Sequence, residues 1–244
     1  MIHQHLRLPF FSIIFLTLLG LACSTDSGTH STVETPERQA PTGTALRYLA
    51  LGDSYTAGTG IDTLQSFPRQ LQQNLATELV RAVTVEVIAQ AGWRTDDLMD
   101  ALAERDLEVS YDLVTLLIGV NNQFQNRPFS QYENEFPLLV GQALNLVDNN
   151  PRRVRIISIP DYFFTPFGQD LGFPMISEEI DNYNNFARSI ATENDILFVD
   201  ITDISREGLE DSSLVARDNL HLSEKAYGMF VDRIFPSAVI ELKD

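Results

Sequence analysis

The chain has 244 residues, of which 44% are hydrophobic. That is enough for one α/β body with a full core, and no second composition regime marks another domain. Its 34 acidic against 17 basic residues give a formal charge of −17, which opposes nucleic-acid phosphates and anionic lipid surfaces at long range and excludes nucleic acid as a partner. The single cysteine, Cys23, excludes an internal disulfide and a cysteine-rich metal site.

Arg7 precedes an apolar run from Leu8 to Leu21, too short to span a bilayer comfortably, and small residues then lead into Cys23. This pattern is a secretory signal over residues 1–22. Leu19-Gly20-Leu21-Ala22-Cys23 looks like a bacterial lipoprotein processing site, where the cysteine thiol is lipidated and becomes the new N-terminus. Gly20-Leu21-Ala22 equally suits an ordinary signal peptidase, which would leave a secreted product with a free cysteine. The expectation is an exported chain that touches a membrane only through its lipidated end. Residues 23–44 are Ser, Thr, Pro, Gly and Glu with few apolar side chains. Such a composition cannot repay ordering entropy and acts as a flexible tether. The folded body is expected over 45–244.

Within that body, short β-branched runs alternate with longer stretches of helical periodicity. Strands are predicted near Arg47–Leu51, Val83–Ala89, Leu113–Ile118, Val154–Ile159 and Ile196–Val199. Helices are predicted at Phe67–Arg81, Asp96–Arg105, Gln131–Val147, Ser177–Thr192 and Glu224 to about Ile240, with Ser223 as the N-cap of the last. The alternation implies a five-stranded parallel sheet covered by helices on both faces. Ligands of such sheets bind outside the carboxyl ends of the strands. Ser54 follows the first strand, Gly92 the second and Asn121 the third, while Asp218 and His221 come after the fifth. Turns far apart in sequence therefore converge on one edge.

His221 is the only histidine in the part of the chain that can fold, since His3 and His5 lie in the leader and His30 in the tether. Serine hydroxyl is a poor nucleophile at neutral pH, so attack on an ester carbonyl needs a base within hydrogen-bond reach, and His221 is the imidazole available to Ser54. Asp218 would accept the other ring N–H, fix the tautomer and stabilise the imidazolium. An isolated Asp-x-x-His is more often an acidic loop residue beside a surface histidine. Here the serine and the other turn residues tip the balance toward acyl-transfer hydrolysis.

Gly52-Asp53-Ser54, Gly92, Gly119-Val120-Asn121-Asn122 and Asp218-Asn219-Leu220-His221 resemble, in order, the four signature blocks of the SGNH, or GDSL, hydrolase superfamily, from about Ala45 to the end of the chain. The resemblance implies a flavodoxin-like three-layer α/β/α fold and activity as an esterase, lipase, thioesterase or carbohydrate deacetylase. Tyr55 stands where the motif's name has leucine, and Leu222 where proline often follows the histidine; neither position supplies a reacting group. The developing oxyanion needs fixed donors, assigned to the backbone N–H of Ser54, the backbone N–H of Gly92 and the side-chain amide of Asn121. A Cβ at Gly92 would crowd the approach of backbone to substrate, although a plain turn glycine also fits, and Asn121 alone would equally suit a turn. Asp53 is assigned to holding the nucleophile turn by bonding local amides.

The stretch Pro160 to Met175 carries Phe163, Phe164, Phe167 and Phe173. These rings either wall an acyl pocket, with Trp93 beside Gly92, or close the end of the core. Gly-x-Ser-x-Gly, Gly-x-Gly-x-x-Gly and Gly-Lys-Ser/Thr are missing, which argues against an α/β-hydrolase elbow and a bound nucleotide. No cofactor and no metal are expected. Short or medium acyl esters, lysophospholipids or thioesters lead as substrates. Acetylated carbohydrate is the alternative within the enzyme class, and a non-catalytic envelope module that binds glycan or lipid is the alternative outside it.

Overall fold

All five apolar runs form strands: β1 (Leu46–Gly52), β2 (Val83–Ala89), β3 (Leu113–Leu117), β4 (Val154–Ile157) and β5 (Leu197–Val199). The computed structural model describes residues 43–107 and 110–243. The expected leader, Cys23 and the tether through residue 42 lie outside the described residues. The strands pair in parallel in the order β2-β1-β3-β4-β5. β3 is buried along its whole length and β1 along nearly all of it, as continuous apolar runs in a doubly covered sheet should be.

Between and after the strands lie α1 (Ser54–Ala57), α2 (Phe67–Glu78), α3 (Thr95–Ala103), α4 (Val120–Phe124) and α5 (Phe129–Asn145). The second half adds α6 (Pro166–Leu171), α7 (Met175–Glu193), α8 (Thr202–Arg206) and α9 (Glu224–Lys243). Parallel crossovers are right-handed, so helices that carry the chain in opposite directions across the sheet fall on opposite faces. α2 carries it outward to β2, whereas α3, α5 and α7 carry it back through β3 and β4 to β5. α9 returns to pack on α2, where the rings of Phe67, Tyr227 and Phe230 meet at 5.5–6.2 Å. On the other face α5 packs against α3 and α7, and Phe129, Tyr132, Tyr183 and Phe186 form a continuous ring cluster. The result is the three-layer flavodoxin-like arrangement.

Two local departures from the sequence pattern have physical causes. α2 stops at Glu78 rather than Arg81 because Val80 takes a left-handed backbone, φ 47°, which no right-handed helix can contain. The stretch Pro160 to Met175 is ordered into a 3₁₀ turn at Tyr162–Phe164 and α6. Asp161 accepts from the Phe163 N–H and Thr165 Oγ1 from the Gly168 N–H, so each turn starts on its own side-chain cap. Ser223 Oγ accepts from the Ala226 N–H at 3.3 Å, which fits its expected place at the start of α9.

Register aligns the business edge. Gly52 pairs with both Ala89 and Leu117, so β1, β2 and β3 end level and their following turns leave side by side.

Candidate active site

The turn that carries Ser54, the expected nucleophile, is built by β1 running straight into α1. Asp53 caps that helix by accepting from the Tyr55 N–H at 3.0 Å. Ser54 is therefore the first helical residue, and its N–H has no acceptor within the helix. Asp53 is fully buried and its Oδ2 has no hydrogen-bond partner among the described residues. Burial pushes its carboxyl up to about 7, only partly offset by the Tyr55 N–H.

The expected base, His221, lies on the loop ahead of α9. Asp218 Oδ2 lies 2.7 Å from His221 Nδ1, while Asp218 Oδ1 accepts from the N–H groups of Leu220 and His221 at 3.0 and 2.9 Å. Burial works to raise the Asp218 carboxyl, but these hydrogen bonds outweigh it and hold it below the ordinary carboxylate value. An ionised carboxylate can only accept, so a ring hydrogen sits on Nδ1, and in the neutral imidazole this tautomer leaves the lone pair on Nε2. The imidazole lies against the ring of Tyr55, the neighbour of Ser54, with centroids 5.3 Å apart. Ser54 Oγ makes no hydrogen bond to it in this structure.

Gly60, which the sequence reading did not single out, lets this loop approach. Its φ is 88°, and a Cβ there would meet Asp218 Oδ2 at 2.5 Å. The signal was the second glycine of Gly58-Thr59-Gly60, directly after the nucleophile turn.

The expected oxyanion donors lie on the turns after β2 and β3. Gly92 has φ 85° and no protein atom within 4 Å of a would-be Cβ. Its glycine is thus required by left-handed backbone rather than by crowding from the protein. The Gly92 carbonyl accepts from Gln125 Nε2 at 2.8 Å. Asn121 donates from Nδ2 to the Trp93 carbonyl at 2.9 Å, which commits one amide hydrogen and leaves one. Buried Asn122 clamps the same two turns: its Oδ1 accepts from the Thr95 N–H at 3.1 Å and its Nδ2 donates to Thr95 Oγ1 at 2.7 Å. Arg94 is held by Asp96 and Asp97, and Trp93 packs half-buried on the core.

Beside α4 runs a groove of about 390 Å³ whose apolar lining is Phe124, Tyr162, Leu171, Phe173, Met175 and Ile176. Phe124 stands edge-on to Tyr162 at 5.6 Å and near Phe167 at 6.2 Å. The Phe167 N–H donates to the Asn219 carbonyl at 3.0 Å, tying the groove to the Asp218–His221 loop. Of the expected lining residues, Phe173 is here, whereas Phe163 and Phe164 pack on each other at 5.8 Å and do not line this groove. A second cleft of about 510 Å³ adjoins it, lined by Phe129, Tyr183 and Phe186 together with Asn126, Arg127 and Asn182. Among the described residues no cluster of three or more His, Cys, Asp or Glu side chains is placed to hold a metal ion. No described helix is long and apolar enough to cross a membrane.

Residues 50–229 match the model of the GDSL-like lipase/acylhydrolase family. The chain belongs to that family. This member is an ester-bond hydrolase, and the match spans Ser54, Gly92, Asn121, Asp218 and His221 alike. Its fold is shared with an acetylxylan esterase from Geobacillus stearothermophilus at 20% identity and a TM-score of 0.62, over 82% of this chain and 95% of that one. A lipase from a goat rumen metagenome aligns at 17% identity and TM-score 0.64 over 79% and 97%. A lipase/acylhydrolase from Enterococcus faecalis aligns at 18% and 0.63 over 81% and 95%. No curated protein sequence matches the chain.

Proposed function

We propose that this hydrolase works through a covalent acyl-serine formed on Ser54, with His221 as general base and acid and Asp218 as the group that orients it. The observation that carries this reading is the 2.7 Å contact between Asp218 and His221 Nδ1 in a ring lying against the nucleophile turn. In this mechanism Ser54 Oγ turns to hydrogen-bond Nε2 of His221. Oγ then adds to the acyl carbon while its proton passes to Nε2, and the carbonyl oxygen becomes negative. The N–H groups of Ser54 and Gly92 and the uncommitted amide hydrogen of Asn121 receive that charge. Collapse breaks the bond to the leaving oxygen, which takes the proton from Nε2. Water repeats the sequence, adding to the acyl carbon and restoring Ser54.

Neutral esters of short or medium acyl groups are the leading substrates, ahead of lysophospholipids and thioesters. Acetylated carbohydrate is the second reading. It is favoured by the 510 Å³ cleft, whose aromatic faces and amide side chains suit a sugar ring, and by the fold shared with an acetylxylan esterase. We place the protein outside the cytoplasm, tethered through a lipidated Cys23. Failure of labelled palmitate to co-migrate with the chain would remove that anchor.

A fluorophosphonate probe tests the mechanism. It should modify Ser54 stoichiometrically, and Ser54→Ala should abolish labelling. An unlabelled protein, or adduct on another residue, would overturn Ser54 as the nucleophile.

A further inference from the structure

We propose that the groove formed by Phe124, Tyr162, Leu171, Phe173, Met175 and Ile176 seats the acyl chain of the substrate, making the enzyme selective for neutral linear acyl groups longer than acetyl. The inference rests on the Ser54 mechanism above and adds the location and chemistry of the specificity site.

Three observations support it. Phe124, Phe173 and Met175 are 42%, 64% and 58% exposed. Phe124 and Phe173 are the aromatic residues among the large exposed hydrophobics of the described chain, and both line this one groove. Scattered exposed apolar residues are ordinary, but rings gathered around a concavity mark a place where something apolar is covered. Second, two elements link the groove's walls to the reaction edge: Phe124 is on the same short helix as Asn121, and Phe167, which packs near Phe124, is bonded to Asn219 between Asp218 and His221. An acyl carbon near Ser54 would therefore have its chain leaving between these two anchors. Third, the groove's polar lining bears a negative charge. Glu179 accepts from Gln123 Nε2 at 2.6 Å, and Gln123 Oε1 accepts from the Tyr162 hydroxyl at 2.7 Å. A carboxylate beside the groove repels an anionic acyl terminus, and the two hydrogen bonds keep its floor from competing for water.

Each methylene that leaves water for such a surface favours the transition state by roughly 1.5-fold when only about a third of its area is covered. The wild-type kcat/KM should therefore rise along p-nitrophenyl acetate, butyrate, hexanoate and octanoate, by at least about tenfold in total. The double substitution Phe124→Ala with Phe173→Ala should lower the octanoate-to-acetate ratio about tenfold, and Met175→Glu should lower it too. Leu138→Asp, on an exposed position of α5 away from the groove, controls for surface charge and should leave the ratio as it is. A flat or falling wild-type series, or groove variants with the wild-type ratio, overturns the acyl seat. Those results leave the serine mechanism standing as long as Ser54→Ala is inactive, whereas a fully active Ser54→Ala removes the mechanism and the acyl seat with it.

Discussion

The two sides of the reaction edge are held in different ways. On the oxyanion side, Asn121 and Asn122 stitch the turn after β3 to the turn after β2 through the Trp93 carbonyl and both polar groups of Thr95. On the base side, the Asp218–His221 loop is anchored largely by local bonds, with Asp218 accepting from amides two and three residues on, while one long-range tie runs from the Phe167 N–H to the Asn219 carbonyl and the loop leans on the Tyr55 ring and on Gly60. Charge stabilisation needs donors that do not reorganise as charge develops. A base that takes a proton from serine and hands it to a leaving group needs a little angular freedom. The cross-linked side suits the first task and the more locally bonded loop suits the second.

Ser54→Ala removes the group both sides serve and has the largest expected effect, a loss of at least about a thousandfold in p-nitrophenyl acetate turnover. Activity close to wild type would dissolve the comparison altogether. On the rigid side, Asn121→Ala should cost roughly a hundred- to a thousandfold in kcat with little change in KM, because its amide acts as charge develops. A change confined to KM would make it a binding residue instead. On the base side, Gly60→Ala forces a methyl against Asp218 Oδ2 and should lower kcat by about tenfold. Gly43→Ala, at φ 93° and with only Arg81 Nε at 3.8 Å, imposes comparable backbone strain far from the reaction and should leave kcat alone. Equal losses in the two would assign the effect to strain rather than to Asp218.

The smallest effect on turnover is expected beneath the nucleophile, at Asp53. Its folded carboxyl stands at about 7, above the roughly 3.9 of an unfolded chain. The folded state therefore holds an extra proton between those values, and stability falls as pH rises through that window. Asp53→Asn keeps an oxygen to accept from the Tyr55 N–H and cannot ionise. Relative to this variant, the wild type should lose up to about 4 kcal/mol between pH 4 and 7.5 in urea melts. A constant difference across that range would mean the buried carboxyl does not titrate there.

The strands were legible because each is a short run rich in apolar residues, and the long helices because their apolar faces repeat over several turns. The 4–6-residue helices α1, α4, α6 and α8 were not, since fewer than two turns carry no periodic signal. Ser54, Gly92, Asn121, Asp218 and His221 were singled out as candidates from residue type, their place after the strands and the family resemblance, and the Asp218–His221 contact is local in sequence. Asn122 and Gly60 were missed because their importance lies in partners 27 and 158 residues away, Thr95 and Asp218. The phenylalanines after β4 show the same limit. Composition marked an aromatic stretch, but only the turns at Tyr162–Phe164 and α6 decide that Phe173 faces the groove while Phe163 and Phe164 face each other.

β1 is laid between β2 and β3, and α9 closes on α2 through Phe67, Tyr227 and Phe230. Ser54 thus leaves the ribosome 167 residues ahead of His221. Under the proposed mechanism, a nascent chain in which only the first has emerged carries half of its machinery and stays harmless to nearby esters. Latency during synthesis is in this way written into the order of the chain.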